Sequence, residues 1–211
     1  MSTAVPHPVT TGQVARLPSV DPITPTTPFP GVIEVVVEIP AKSRNKYEFD
    51  ERAGVFRLDR VLSSAVFYNF DYGYIEQTRA DDGDHTDAML LIDEPTFPGC
   101  HVWARPIGGL EMRDEKGGDF KVLCVALGDA HQEHVMRLEQ VRPHRLVEIE
   151  HFFQTYKLLE DKAVEVLGWR DTAYALDLLR ADRERWIAER SGTAPPDAPE
   201  PTPTAPGEGR A

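Results

Sequence analysis

Between residues 81 and 91 the chain reads DDGDHTDAMLL, four aspartates in seven positions around one glycine and then an apolar run. Asp and Gly are what tight turns use, so in isolation this is a solvated turn. A second acidic stretch changes that reading. RDEKGGDFK, from Arg113 to Lys121, sets Asp114 and Asp119 on either side of a Gly-rich turn that can swing them together. Glu38 stands near the end of VIEVVVEI, a run from Val32 that is apolar apart from Glu34 and Glu38. If these segments meet, five aspartates and one or two glutamates share a cleft. Two carboxylates about 4 Å apart repel by roughly 4 kcal/mol at an effective dielectric of 20. Such a cluster persists only where cations neutralise it or its pKa values rise. An all-oxygen donor set without cysteine points to hard Mg2+ or Mn2+, and the spacing of an EF-hand calcium loop is absent. Several Mg2+ ions beside Lys46, Arg60, Lys121 and Lys157 suit a phosphate-rich substrate.

The elements that must position these groups are legible as periodicities. GVIEVVVEIP, KYEFD, DAMLLID, CHVWARPIGGLEM and DFKVLCVAL read as strands, VFRLDRVL as a strand edge, and RDEKGG as the turn joining the last two long strands. In KYEFD, alternation puts Lys46, Glu48 and Asp50 on one face, with Tyr47 and Phe49 on the other. In DFKVLCV it pairs Asp119 with Lys121, opposite Phe120, Val122 and Cys124. Each pair alone is an ordinary solvated strand face. The pattern then turns helical: Ile149, Phe152, Phe153, Tyr156 and Leu159 share a face, and Ala175, Leu178, Leu179, Asp182 and Trp186 share another in a second helix with Asp171 as N-cap. Short strands followed by helices predict a small barrel with helices packed on it, a mainly-β α+β fold.

A chain of 211 residues, 41% hydrophobic, buries a respectable core. Residues 1–30 and 191–211 scatter Pro, Thr, Ala and Gly without periodicity and are expected to be disordered or extended, leaving 31–190 as the folded domain. A net charge of −12 excludes a nucleic-acid backbone as partner. With no membrane span and no signal-like N-terminus, a soluble cytoplasmic protein is expected. Cys100 and Cys124 lack CxxC spacing and read as buried thiols.

Taken in order, VEIP, NKYEFD, LDR, FYNFDYGYI, DDGDHTD, ARPIG, MRDEKGGDFKVLCV and HFFQTYKLLE resemble the soluble family I inorganic pyrophosphatases of bacterial type, from about Val35 to Trp169. The resemblance implies a five-stranded OB-like barrel with C-terminal helices, and Mg2+-dependent hydrolysis of pyrophosphate to two orthophosphates by attack of metal-activated water. Carried over position by position, it makes Asp82, Asp87 and Asp119 ligands of one metal. Asp114 and Asp119 bind further ones, and Glu38 and Glu48 complete the shells. Asp84 accepts a proton from the attacking water, a role that Asp119 shares as alternative. Lys46, Arg60, Tyr72, Lys121, Tyr156 and Lys157 hold the phosphoryl groups. Family precedent implies a homo-oligomer, a hexamer, with Mn2+ as an alternative metal.

The tyrosines have a second reading. Tyr156 lies on the apolar helix stripe, so its ring belongs to the core and only its hydroxyl reaches substrate; Tyr74 is as well explained by barrel packing. The chain departs from the family pattern at His85 and Thr86, where a proline and an apolar residue are usual. His85 is expected to face solvent without a role, against the sharper alternative that its imidazole reaches the metals. Two rival functions stand beside hydrolysis of pyrophosphate: an OB-type phosphate-binding module that has lost catalysis, and a phosphohydrolase of other diphosphate compounds. The first would lack a ligand, base or phosphate-binding position, and none is missing. The second would need a base-stacking platform.

Overall fold

The computed structural model describes residues 26–114, 117–160, 162 and 164–192. The predicted tails fall almost wholly outside these residues, as do Glu115 and Lys116 in the RDEKGG turn. The strands are β1 (Ile33–Ile39), β2 (Asn45–Asp50), β3 (Val55–Val61), β4 (Asp71–Ile75), β5 (Asp87–Leu91), β6 (His101–Asp114), β7 (Gly117–Ala126) and β8 (Glu165–Arg170). Helix α1 spans Pro143–Thr155 and α2 Thr172–Arg190.

Five strands close on themselves in the order β1-β4-β5-β7-β6, because β1 pairs with β4 along one side and with β6 along the other. All contacts in the ring are antiparallel except the parallel pair β5–β7. Strand β8 adds to β6, and β2 and β3 form a separate hairpin, as VFRLDRVL predicted for a strand edge. The expected barrel with helices is present. Periodicity had not marked β4 or β8.

The ring strands are buried on both faces, which is why DAMLL reads as a continuous apolar run. Ala88 and Leu90 join Ile33, Val35, Val37, Val122 and Cys124 in one core layer, onto which α2 packs Leu179. Met89 and Leu91 face the other layer, with Leu123, Val125, Tyr68, Phe70, Tyr72 and the α1 residues Ile149, Phe152 and Phe153. Asp171 caps α2 as expected, its Oδ1 accepting the Tyr174 N–H at 2.9 Å. Leu159 corrects the expectation for the first helix: α1 stops at Thr155, and Leu159 lies in a following 3-10 turn, 69% exposed. The segment after α1 carries Lys157 to Asp114 at the end of β6 and Glu160 to Arg60 on the hairpin, and the helical spacing ends with it.

Two irregularities aim polar groups at one place. The β1–β4 register slips between Val37 and Ile39, so Glu38 is the extra residue of a bulge and leaves the apolar alternation around it. The β2–β3 register slips at Lys46/Tyr47, where Arg60 and Leu58 are consecutive partners, and Asp59 is the bulged residue. Gly73 permits the close approach of β4 to β1: a Cβ there would fall 2.0 Å from the Val36 carbonyl oxygen.

Candidate active site

Lys121 is the centre of the site. Its ammonium is shared by two carboxylates, Asp87 and Asp119, the latter at 2.7 Å, and its side chain is only 8% exposed. Burial alone would strip its proton, but the two carboxylates outweigh burial and hold its pKa well above the usual lysine value. One cation cannot satisfy both acids. Asp119 is accordingly pushed up by burial, and Asp87 and Asp114 add to the push against the opposing pull of Lys121. Lys157, delivered by the turn after α1, pairs with Asp114 at 3.3 Å.

Glu38 faces the same cluster. Burial pushes its carboxyl up to about 7; the Phe49 N–H, donating to its Oε1 at 2.8 Å, opposes that, and the charge of Asp87 reinforces it. On the hairpin side, Lys46 stands opposite Arg60 in the β2–β3 register and contacts Glu48 and Asp59, the latter at 3.3 Å. Arg60 also contacts Asp59 and clasps Glu160 through two N···O contacts of 3.0 Å, Nε to Oε1 and Nη2 to Oε2.

Aromatic rings floor the site. Tyr72 and Tyr156 are 8% and 7% exposed and pack with Tyr68, Phe152 and Phe153. Lys121 lies 5.9 Å from the Tyr72 ring centroid and Lys157 5.5 Å from that of Tyr156. Burial raises the Tyr156 hydroxyl to about 12 and lifts that of Tyr72 well above the usual tyrosine range, so both remain O–H donors at neutral pH. Tyr156 thus has its ring in the core, as the apolar stripe implied.

The acidic loop precedes β5 and leads into Asp87. Asp82 and Asp84 are exposed, and the Asp84 N–H donates to Asp82 Oδ1 at 3.1 Å around Gly83, whose φ of +89° suits glycine. His85 corrects both of its readings. Its ring stacks on Tyr74 with centroids 5.0 Å apart, Nδ1 lies 2.8 Å from the Thr78 carbonyl oxygen and Nε2 3.0 Å from Glu51. It is neither a solvent-facing bystander nor turned to the carboxylate cluster. Tyr74, packed between Phe49 and His85, takes the packing reading.

The structure therefore brings Glu38, Lys46, Glu48, Arg60, Tyr72, Asp87, Asp114, Asp119, Lys121, Tyr156 and Lys157 to one mouth, while Asp82 and Asp84 lie in the exposed loop that leads into Asp87. Sequence reasoning missed Asp59, Glu160 and Tyr68. The hydroxyl of Tyr68 is raised by burial and lies in the field of Tyr156, Arg60, Asp87 and Glu38. The donor chemistry fits hard divalent cations: every donor is a carboxylate oxygen, and the raised Glu38 and Asp119 mark negative charge that the local lysines leave uncompensated. Among the described residues, the groups that hold three ligand atoms within 4.8 Å of one another are Glu34–Glu76–His101 and Asp93–Asp129–His131; neither contains a predicted ligand, and the mouth carboxylates stand further apart than that.

A sequence model of the inorganic pyrophosphatase family matches residues 35–187, so the likeness runs past Trp169 into α2. An inorganic pyrophosphatase of Synechocystis sp. is 51% identical over 155 residues, 74% of this chain and 92% of that protein. One from Nostoc sp. is 54% identical over 147 residues, 70% and 87% of the two chains. The crystal structure of inorganic pyrophosphatase from Thermus thermophilus superposes with a TM-score of 0.75 at 43% identity, covering 79% of this chain and 96% of that one. With a closed five-stranded ring and a carboxylate-lined mouth already in place, these likenesses settle the family: the chain belongs to the family I inorganic pyrophosphatases, hydrolases that cleave pyrophosphate.

Proposed function

We propose that this chain hydrolyses pyrophosphate with Mg2+ held by Asp82, Asp87, Asp114 and Asp119, with Glu38 and Glu48 completing the coordination directly or through water. Mg2+ so bound supplies neutralisation of the substrate's charge and a more acidic water. The residues supply the rest. Lys46, Arg60, Lys121 and Lys157 bind the two phosphoryl groups, Arg60 as a planar fork and the lysines as point charges. Tyr72 and Tyr156, kept protonated by burial, donate hydrogen bonds to phosphoryl oxygens. Asp84, in the exposed loop before Asp87, takes the proton of the attacking water as the water oxygen bonds to phosphorus, and Asp119 is the alternative acceptor. The bond to the bridging oxygen breaks, and the second phosphate leaves with its charge met by the cations.

One observation carries this reading: half-buried carboxylates outnumber the cations they share at Lys121, beside a ring of basic side chains suited to phosphate. The same reading makes residues 31–190 the working domain and the protein a cytoplasmic homo-oligomer, a hexamer by family precedent, which light scattering would check. Among the described residues no helix is long and apolar enough to cross a membrane. The direct test is phosphate release from pyrophosphate and from ATP in Mg2+, Mn2+ or EDTA. Release from pyrophosphate in Mg2+, abolished by EDTA, is expected. No release with either metal would sink the reading, and faster release from ATP would favour a nucleotide phosphohydrolase.

A further inference from the structure

Thr86, immediately before Asp87, is only 1% exposed, and so is Asp182 on α2. The Thr86 hydroxyl donates to Asp182 Oδ2 at 2.5 Å, while Arg185 donates to Oδ1 at 2.6 Å. The Thr86 N–H donates to Thr78 Oγ1 at 3.0 Å, and that hydroxyl donates to the Ile75 carbonyl at 2.6 Å. The helix grips the rest of the loop as well. The Asp182 carbonyl accepts the Arg79 N–H at 3.0 Å, and Arg185 Nε donates to the Arg79 carbonyl at 3.1 Å. Arg79 in turn bonds Glu189 at 2.9 Å and the Gly83 carbonyl at 2.6 Å.

A buried hydroxyl–carboxylate pair is an expensive way to attach a helix. Desolvating both groups offsets most of what their bond contributes, and an apolar pair of similar volume would hold the helix at least as well. Apolar contacts slide, however, whereas a hydrogen bond fixes distance and direction. The chain has placed this directional contact one residue from Asp87. We infer that Thr86 and Asp182 are positioning residues: through them α2 fixes the strand entrance that aims Asp87, so that cation affinity depends on a helix outside the mouth. The inference rests on the reading of Asp87 as a cation ligand.

The test uses the full chain and Mn2+, with free Mn2+ read by its electron paramagnetic resonance signal, beside pyrophosphate turnover across a Mg2+ titration. Thr86→Val removes only the hydroxyl. It should weaken Mn2+ binding about tenfold, the low end for outer-shell ligand supports. At saturating Mg2+ its kcat should stay within about twofold, while its Tm should fall by about 3 to 10 °C, because the buried Asp182 Oδ2 loses its donor. Thr86→Ser, which keeps the donor, should restore wild-type binding. Asp182→Leu should resemble Thr86→Val, and the double variant should be no weaker than the worse single one. Unchanged Mn2+ affinity in Thr86→Val, a serine variant as weak as the valine one, or additive losses in the double variant would each overturn the inference. Should Asp182→Leu not fold, the Val and Ser variants decide alone. Wild type that binds no Mn2+ would remove Asp87 as a ligand and the inference with it. Wild type that binds Mn2+ yet releases no phosphate from pyrophosphate defeats the proposed function alone, and the Thr86 comparison still reads out.

Discussion

Two acidic clusters on this molecule behave in opposite ways. Asp93, Asp129 and His131 converge at the surface, and their needs are met locally: Asp129 accepts the N–H groups of Asp93 and His131 at 2.8 and 2.9 Å. Asp93 accepts from His131 and from Gln132, and these hydrogen bonds hold its carboxyl below the usual aspartate range. At the barrel mouth the shifts reverse, with burial pushing Glu38 to about 7 and raising Asp119. Proximity of acids is common to both. What separates them is negative charge placed out of reach of water with too few cations to answer it, and that is the condition a divalent metal relieves.

The sharpest break in this comparison is Asp119→Asn against Asp129→Asn. The first should weaken metal binding and lower kcat by roughly three orders of magnitude or more. The second should leave both within about twofold, because a surface substitution away from any site costs little. Steady-state turnover across a Mg2+ titration reads the difference, and equal losses would erase the distinction. Asp84→Asn separates proton acceptor from ligand: kcat should fall by roughly two to four orders of magnitude with cation affinity kept. Weaker Mg2+ binding at unchanged turnover in saturating metal would reverse that assignment.

A smaller effect lies in Glu38. A carboxyl raised from 4.5 to about 7 by folding favours its neutral form in the folded protein. Its contribution to stability is complete below the unfolded value and is lost as pH climbs through about 7. Glutamine never ionises, so in EDTA Glu38→Gln should raise Tm by about 5 °C at pH 8 and by no more than about 1 °C at pH 5. Calorimetry at the two pH values checks the sign, and an equal shift at both would argue against the buried acid. The smallest effect belongs to His85→Pro. Because its ring faces Tyr74, Thr78 and Glu51, activity profiles in Mg2+ and in Mn2+ should superimpose on wild type between pH 5.5 and 8; loss of a Mn2+ advantage would restore the imidazole to the site.

Where a pattern was local, it was readable. DAMLL announced a strand with two buried faces, DFKVLCV an alternating one, and the alternation that pairs Asp119 with Lys121 is the alternation observed. Strand β4 escaped notice because Gly73 interrupts its tyrosines, and the reason for that glycine is a neighbour distant in sequence, the Val36 carbonyl. Strand β8 is a short run broken by Gly168 after a helical stretch. Asp59 beside Arg60 looks like any solvated strand pair until the bulge sets it between two bases. Glu160 and Leu159 needed knowledge of where α1 ends, which tertiary ion pairs decide. Asp182 was legible only as a member of the second helix's shared face, and its partner Thr86 lies across the fold, where no spacing within the helix names it.

The closed ring carries a kinetic consequence. Its seam joins Ile33 to Ala104 and Val36 to His101, pairings between segments far apart in sequence, so closure is among the slower steps of chain organisation. The carboxylates of β1, β5 and β7 face one another only once that seam is made. A divalent cation therefore has no assembled site to grip during the climb to the folding barrier, and everything it contributes accrues on the far side. Chelation should leave refolding rates near their metal-loaded values and hasten unfolding, so the cation acts as a latch on the finished ring with no part in building it.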